Sequence, residues 1–312
     1  MHKTQFCILA AAGALLIGAA VAGERAGHWS QGASMPSERG EVAAATLNGK
    51  IYLLGGLDRQ VLELEIYDPA NNQWRRGAKF PRAIHHTAMV ALNEKLYVVG
   101  GLVFEGTPTN AVYEYDPGKE RWDEGTPMEV PRGALAAAVV NGKIHAVGGA
   151  TGFDRDTPAH EVYDPAAKKW SAGPPLSTAR DSHVAAVVGQ QLYVIGGRTN
   201  NISGKELATN EAYDPAKGKW EKRATMPTAR SGSAAATVAG RVFVVGGEAS
   251  SQTFNRVEAY DPKTDNWRDD APMPTARHGL AAVEVDGKLY VIAGGSTNPS
   301  KPGSNANEIF QP

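Results

Sequence analysis

Short hydrophobic runs recur along the chain at a steady spacing. Ala134–Val140 is an unbroken apolar stretch, Asn141-Gly142 follows, and Lys143-Ile144-His145-Ala146-Val147 alternates until Gly148-Gly149. Runs this short, with period two and glycine at their ends, are strands rather than helices. Asn-Gly between two of them favours a tight hairpin, because both residues tolerate positive φ. A third run ends in Tyr163-Asp164-Pro165, where Asp and Pro suit the first positions of a type I turn. A fourth carries Trp170. No convincing helical period appears beyond residue 22, so the pattern predicts an all-β chain made of four-stranded units.

The unit repeats. Gly-Gly pairs begin at Gly55, Gly100, Gly148, Gly196, Gly246 and Gly294, and Tyr-Asp-Pro begins at Tyr67, Tyr115, Tyr163, Tyr213 and Tyr260. Seven residues after each tyrosine stands Trp74, Trp122, Trp170, Trp220 or Trp267, and the sixth tryptophan, Trp29, precedes the first glycine pair. Repeats of roughly 45–50 residues with four strands each read as propeller blades. The chain opens on a lone fourth strand around Trp29 and closes on a third strand, Glu308 to Pro312, with Phe310 at the tyrosine position. Those two fragments complete one blade, which would close the ring and leave no sheet edge free. The spaced glycine pairs, tyrosines and tryptophans resemble Kelch repeats, and the resemblance runs through residues 28–312. It implies a six-bladed Kelch β-propeller over residues 23–312, and it is specific for fold rather than function.

Residues 1–22 read differently. Ile8 to Ala22 is apolar and ends in Ala20-Val21-Ala22, the small-residue pattern of a cleaved signal peptide. The run is shorter than the ~20 residues of a membrane span. The expectation is therefore a periplasmic or secreted protein starting near Gly23. Cys7, the single cysteine, lies in that segment, so the mature chain would have neither a disulfide nor a thiol nucleophile. Of 32 basic residues only Lys3 is removed with the segment, leaving 31 against 33 acidic, a formal −2. No basic block is present to hold a phosphate backbone, which argues against nucleic acid. No cofactor and no membrane span of the mature chain is expected, and the reading is of a monomer.

Five arginines open the innermost strands: Arg39, Arg132, Arg180, Arg230 and Arg277. In some Kelch propellers arginines near this position grip acidic partners. A structural role fits the pattern better, because Glu65, Glu161, Glu211, Glu258 and Glu308 stand two residues before the tyrosine position. Blade 2 lacks both, having Ile84 and Tyr113. First and third strands begin at the same blade end, roughly 10 Å apart, with the glycine pair between them. A guanidinium could cross there to the carboxylate, unless Arg82 substitutes for it in blade 2.

The loops beyond the glycine pairs differ most between repeats, and such loops on a rigid scaffold carry binding residues. Candidates for a ligand-binding face are Phe104 and Glu105, Phe153 to Asp156 with Arg155, Arg198 to Lys205, Gln252 and Phe254, and Ser296 to Asn305. The channel mouth adds the residues just after the arginines: Gly40, His85, Gly133, Asp181, Ser231 and His278. A polar rim with scattered aromatics suits a protein or glycan ligand. Histidines on alternate blades (His85, His86, His183, His278) stand too far apart for a shared metal, and Asp265, Asp269 and Asp270 read as a solvated turn. No catalytic signature appears. The Kelch-type copper oxidases need a cysteine that the mature chain lacks. A weaker similarity to periplasmic sialic acid mutarotases leaves a sugar-isomerising enzyme as the alternative, with Asp181, His85 and His278 as residues to test.

Overall fold

The computed structural model describes residues 27–58, 60, 62–104, 106–200, 205–250, 252–296 and 303–312. The segment read as a signal peptide (with Cys7), Glu105, and parts of the loops after Arg198 and Ser296 lie outside the described residues. The described chain folds into six four-stranded antiparallel sheets with no helix. From the inside outward, blade 1 comprises Val42–Leu47, Lys50–Gly55, Glu63–Asp68 and Gln73–Lys79. Blades 2 to 5 repeat that order, starting at Ala88, Ala136, Val184 and Ala234. Blade 6 takes Ala281–Val285, Lys288–Ile292 and Asn307–Gln311 from the end of the chain and His28–Gln31 from its beginning. There Trp29 lies opposite Phe310 and His28 opposite Gln311.

Three cyclic sets of hydrogen bonds tie the sheets into a ring. At the channel, the backbone N–H of Glu41, His86, Ala134, Ser182, Gly232 and Gly279 each donates to the carbonyl of its counterpart in the preceding blade, and Glu41 completes the circle onto Gly279 O at 2.7 Å. Midway, the N–H of the second residue of each glycine pair reaches the next blade, as Gly149 N to Arg180 O and Gly294 N to Arg39 O, both 2.9 Å. At the periphery each tryptophan Nε1 donates to a carbonyl of the blade before it, for example Trp29 to Ala271 at 2.9 Å and Trp267 to Ala224 at 2.8 Å. Every tryptophan also faces its repeat's tyrosine or phenylalanine across the strand pair, with centroids 4.8–5.2 Å apart. That tilted contact adds about 0.5–1.5 kcal/mol to the area each ring buries.

The core lies between blades. Tyr67 of blade 1 packs with Val283, Tyr290 and Ile292 of blade 6, joining the first repeat to the last. The glycine pairs sit where neighbouring backbones approach: a Cβ on Gly246 would stand 2.5 Å from Arg277 O, and one on Gly197 would stand 2.5 Å from Asp181 O. In blade 6 the pair falls one residue earlier than the Gly294 start read from the sequence. Ala293 takes the first position at φ 61°, and Gly294 takes the second. In the acidic cluster of blade 5, Asp265 does lie in an exposed turn and Asp269 is exposed, but two of its carboxylates also make specific bonds. Asp265 Oδ1 accepts from Tyr260 Oη (2.6 Å) and Ala224 N (2.9 Å), and Asp270 accepts from Gly27 N (3.1 Å). These carboxylates fasten blade 5 to the blades on either side.

Candidate functional site

Both the arginines and the channel mouth lie at the blade end that carries the loops after the glycine pairs. Each arginine pairs with the glutamate of its own blade: Arg39–Glu65 at 3.2 Å, Arg132–Glu161 at 3.1 Å, Arg277–Glu308 at 2.6 Å, and likewise Arg180–Glu211 and Arg230–Glu258. All ten side chains are buried. The guanidinium also donates to carbonyls of the second strand, as Arg39 to Gly55 O and Arg230 to Val244 O. Buried and paired with its own glutamate, an arginine of this ring is not presented to a ligand. In blade 2 Ile84, Phe80 and Tyr113 belong to one apolar cluster, Phe80 edge-on to Tyr113 at 4.8 Å. Arg82 does not replace the missing arginine; it lies over the Tyr113 ring, 6.0 Å from its centroid.

The channel mouth is built by the residues two places after the arginine position. All six hold nearly the same left-handed backbone: Glu41, His86, Ala134, Ser182, Gly232 and Gly279 have φ between 51° and 60°. Glycine adopts this region freely, whereas other residues are strained by about 1–2 kcal/mol. Four of the six nonetheless carry side chains, and strain retained at one ring of positions points to use. The two glycines leave room beside them. A Cβ on Gly279 would lie 2.4 Å from Glu41 Oε1, so the Glu41 carboxylate rests over that residue, and one on Gly232 would touch His278 and Glu248. Below the ring is a cavity of about 100 Å³, lined by Glu41, His86, Ser182, His183, Ser233 and Gly279 among others.

Titratable side chains continue around the mouth. His85 Nδ1 meets His86 Nδ1 at 2.6 Å, and His86 Nε2 lies 3.2 Å from Glu41 Oε2. His278 Nε2 stands 3.9 Å from Glu41 Oε1 and 3.6 Å from Glu248 Oε2. Arg198 then bridges Glu248 at 3.7 Å and Asp181 at 3.0 Å. Asp156, from the loop of blade 3, accepts from Asn200 N at 2.7 Å and interacts with Asp181. The arc touches every blade. Burial, then the Asp181 carboxylate, pushes the Asp156 carboxyl up to about 6. Burial likewise raises Glu248, with Glu41 adding to the rise and His278 and Arg198 opposing it. Burial and the neighbouring His86 hold His85 down at about 4.

Of the residues singled out from the sequence, His85, Asp181, Arg198 and His278 belong to this arc. Ser231 does not face the rim; it is fully buried and its backbone pairs with Glu248. Asp181 is buried as well, beneath the loop that it holds through Arg198. These residues form backbone bridges to the loop after the glycine pair, which turns them into the blade and leaves the channel to the next position. Phe153 stands in solvent at 75% exposure on the loop of blade 3. Arg155 is exposed on that same loop, its guanidinium near Gly152, while Phe104 and Phe254 are half-buried. Glu41, His86 and Glu248 escaped a reading based on the position after the arginine. The signal that could have found Glu41 and His86 is the pair of ionisable residues among small neighbours at the following position, whereas Glu248 lies on the loop after the glycine pair of blade 5.

A family model described as the KLHDC2/KLHL20/DRC7 Kelch-repeats domain matches residues 27–197 and 134–310, which together span nearly the whole described chain. The chain belongs to the Kelch-repeat family. Among solved structures, the Kelch chain resembles one titled "Structure of YjhT", with a TM-score of 0.78 and 16% identity, covering 88% of this chain and 95% of that one. At that identity the likeness concerns the fold. Comparison with curated proteins gave no significant match. Among the described residues no group of three or more His, Cys, Asp or Glu is placed to hold a metal ion. Among the described residues no helix is long and apolar enough to cross a membrane.

Proposed function

We propose that this Kelch propeller is a periplasmic or secreted binding platform whose ligand, a protein or a glycan, docks on the channel mouth and its surrounding loops. The reading is carried by the arc from His85 and His86 through Glu41, His278, Glu248, Arg198 and Asp181 to Asp156, which links polar side chains of all six blades at the end of the ring where the cavity opens, with Glu41 and His86 lining the cavity itself. Leu57 and Phe153, the exposed large apolar residues among those described, lie on loops at the same end. Export rests on the apolar segment that ends in Ala20-Val21-Ala22. Backbone amide NMR during titration with envelope proteins and a glycan panel tests the proposal. Shifts centred on Glu41, Gly232 and Gly279 are expected, and a ligand bound only at the opposite face would overturn it.

One observation favours a second reading, a sugar-isomerising enzyme. The Asp156 carboxyl at about 6, beside the buried Asp181, suits a group that exchanges protons near neutral pH. Anomer exchange followed by NMR, with Asp181→Asn and Asp156→Asn as controls, separates the two. Turnover lost in both variants would support the enzyme, and binding without turnover would support the platform.

A further inference from the structure

The chemistry of the mouth selects among ligands, and here the reading rests on the binding face proposed above. Among the described residues, the arc holds the carboxylates of Glu41, Glu248, Asp181 and Asp156 against one guanidinium, Arg198, which already contacts Asp181 and Glu248, and against the imidazoles of His86, beside Glu41, and His278, beside Glu41 and Glu248. The arginines beneath the rim are buried and bound to their own glutamates. An anionic ligand would thus meet four carboxylates, one guanidinium already shared by two of them, and buried arginines already paired with their own glutamates.

The cavity tells the same story through its hydrogen-bonding inventory. His183 lines it and is buried; burial keeps its ring neutral, its pKa held down at about 3. His183 Nε2 sits 3.1 Å from Val147 O and so must donate, which leaves Nδ1, without a hydrogen-bond partner, as a lone pair. Ser233 Oγ, also on the cavity wall, is buried and unpartnered. Glu41 lies at the entrance over Gly279. The wall therefore carries a carboxylate, an imidazole lone pair and a hydroxyl able to accept or donate, beside Gly232 and Gly279. At about 100 Å³ the cavity admits the head of a side chain rather than a whole ligand, since a water takes ~30 Å³.

We infer that the mouth captures a donor-rich cation, an alkylammonium or guanidinium group, with its head in the cavity between Glu41, Ser233 and His183 and with Glu248 completing its charge balance. Such a head is the tip of a lysine or arginine side chain, or of a free amine.

Calorimetry and amide NMR on the full mature chain test this with n-butylammonium, the tripeptides acetyl-Gly-Lys-Gly-amide and acetyl-Gly-Arg-Gly-amide, acetate as the anionic control and galactose as the neutral one. The cations are expected to shift Gly232, Ser233 and Gly279, and to bind more weakly as salt is added. Glu41→Gln and Glu248→Gln should each weaken them tenfold or more at unchanged melting temperature. Peptides binding at least tenfold tighter than n-butylammonium identify a polypeptide as the source of the head, and equal affinity identifies a free amine; both support the inference. Equal binding of cations by wild type and both variants would overturn it. So would acetate or galactose binding at the mouth without the cations, although the proposed binding face would then survive. If no cation shifts any mouth residue and the envelope ligand docks at the opposite face, both readings fall.

Discussion

Blade 2 shows how this fold manages without an Arg–Glu pair, and that makes the pair testable by transplantation. In blade 5 the Arg230 guanidinium is bonded to Glu258, Thr228 O (3.0 Å) and Val244 O (3.1 Å), and Glu258 also accepts from Thr228 Oγ1 (2.7 Å). Both side chains are inaccessible to solvent. Arg230→Met would leave a buried carboxylate with one hydroxyl for support, and breaking such a pair costs about 3–5 kcal/mol. For a domain of this size 1 kcal/mol moves the melting temperature by about 2 °C. A fall of about 6–10 °C follows from those figures. Glu258→Gln should cost a similar amount, because the guanidinium keeps only carbonyl partners. The double variant should cost much less than the two singles added together, with a coupling energy of about 1–3 kcal/mol. The triple variant Met226→Phe, Arg230→Ile, Glu258→Tyr reproduces Phe80, Ile84 and Tyr113 of blade 2. It should return to within about 1 kcal/mol of the wild type, since well-packed apolar groups often replace a buried ion pair without loss. Urea unfolding and calorimetry of the five proteins give the cycle. Additive single-site losses, or a triple variant no better than Arg230→Met, would refute the view that the pair acts as one replaceable unit.

Further outcomes follow from the same geometry. His145 and His160 form a buried pair, Nδ1 to Nε2 at 2.8 Å, and burial lowers both to about 4. Each is thus neutral in the folded state while its unfolded counterpart takes a proton near pH 6.5, so stability is full above 6.5 and declines as pH falls toward 4, by about 1.4 kcal/mol per pH unit per histidine. The double variant His145→Tyr, His160→Asn, which copies Tyr193 and Asn210 of blade 4, should flatten the melting temperature across that window; an unchanged slope contradicts the assignment. Removing residues 23–35 deletes the outermost strand of blade 6 with Trp29, and light scattering should then reveal aggregation together with a lowered melting temperature. Gly197→Ala would set a Cβ 2.5 Å from Asp181 O at φ 92°, so a loss of more than about 2 kcal/mol is expected, and a neutral result would mean the glycine pair is not a close approach.

Much of the scaffold could be read in advance because it depends on residues that recur. Tyrosine and tryptophan seven residues apart meet across one strand pair, since a short turn fixes the register on either side of it. The fragment around Trp29 matched the missing fourth strand of the last repeat for the same reason. Blade 6 escaped because Ala293 tolerates a left-handed φ, and a reading that looked for two adjacent glycines settled one residue too late. The bonds of Asp265 and Asp270 could not be read because their partners, Ala224 N and Gly27 N, are about 40 and 240 residues distant in the chain.

The inner ring of the mouth escaped for a different reason, and that reason bears on function. At the ring of Glu41, His86, Ala134, Ser182, Gly232 and Gly279 the six blades share one backbone conformation and one hydrogen-bond pattern, yet no two neighbouring side chains but the glycines are alike. A repeat search weights what is common and passes over such a position. The energetics run the other way. If the ring served only to join blades, glycine at all six places would make it without strain. Glutamate and histidine at two of them accept that strain and face each other, and Glu41 also faces His278 of blade 6, which meets Glu248 of blade 5. The backbone of this ring therefore explains closure, and its departures from glycine single out the side chains that a ligand would meet.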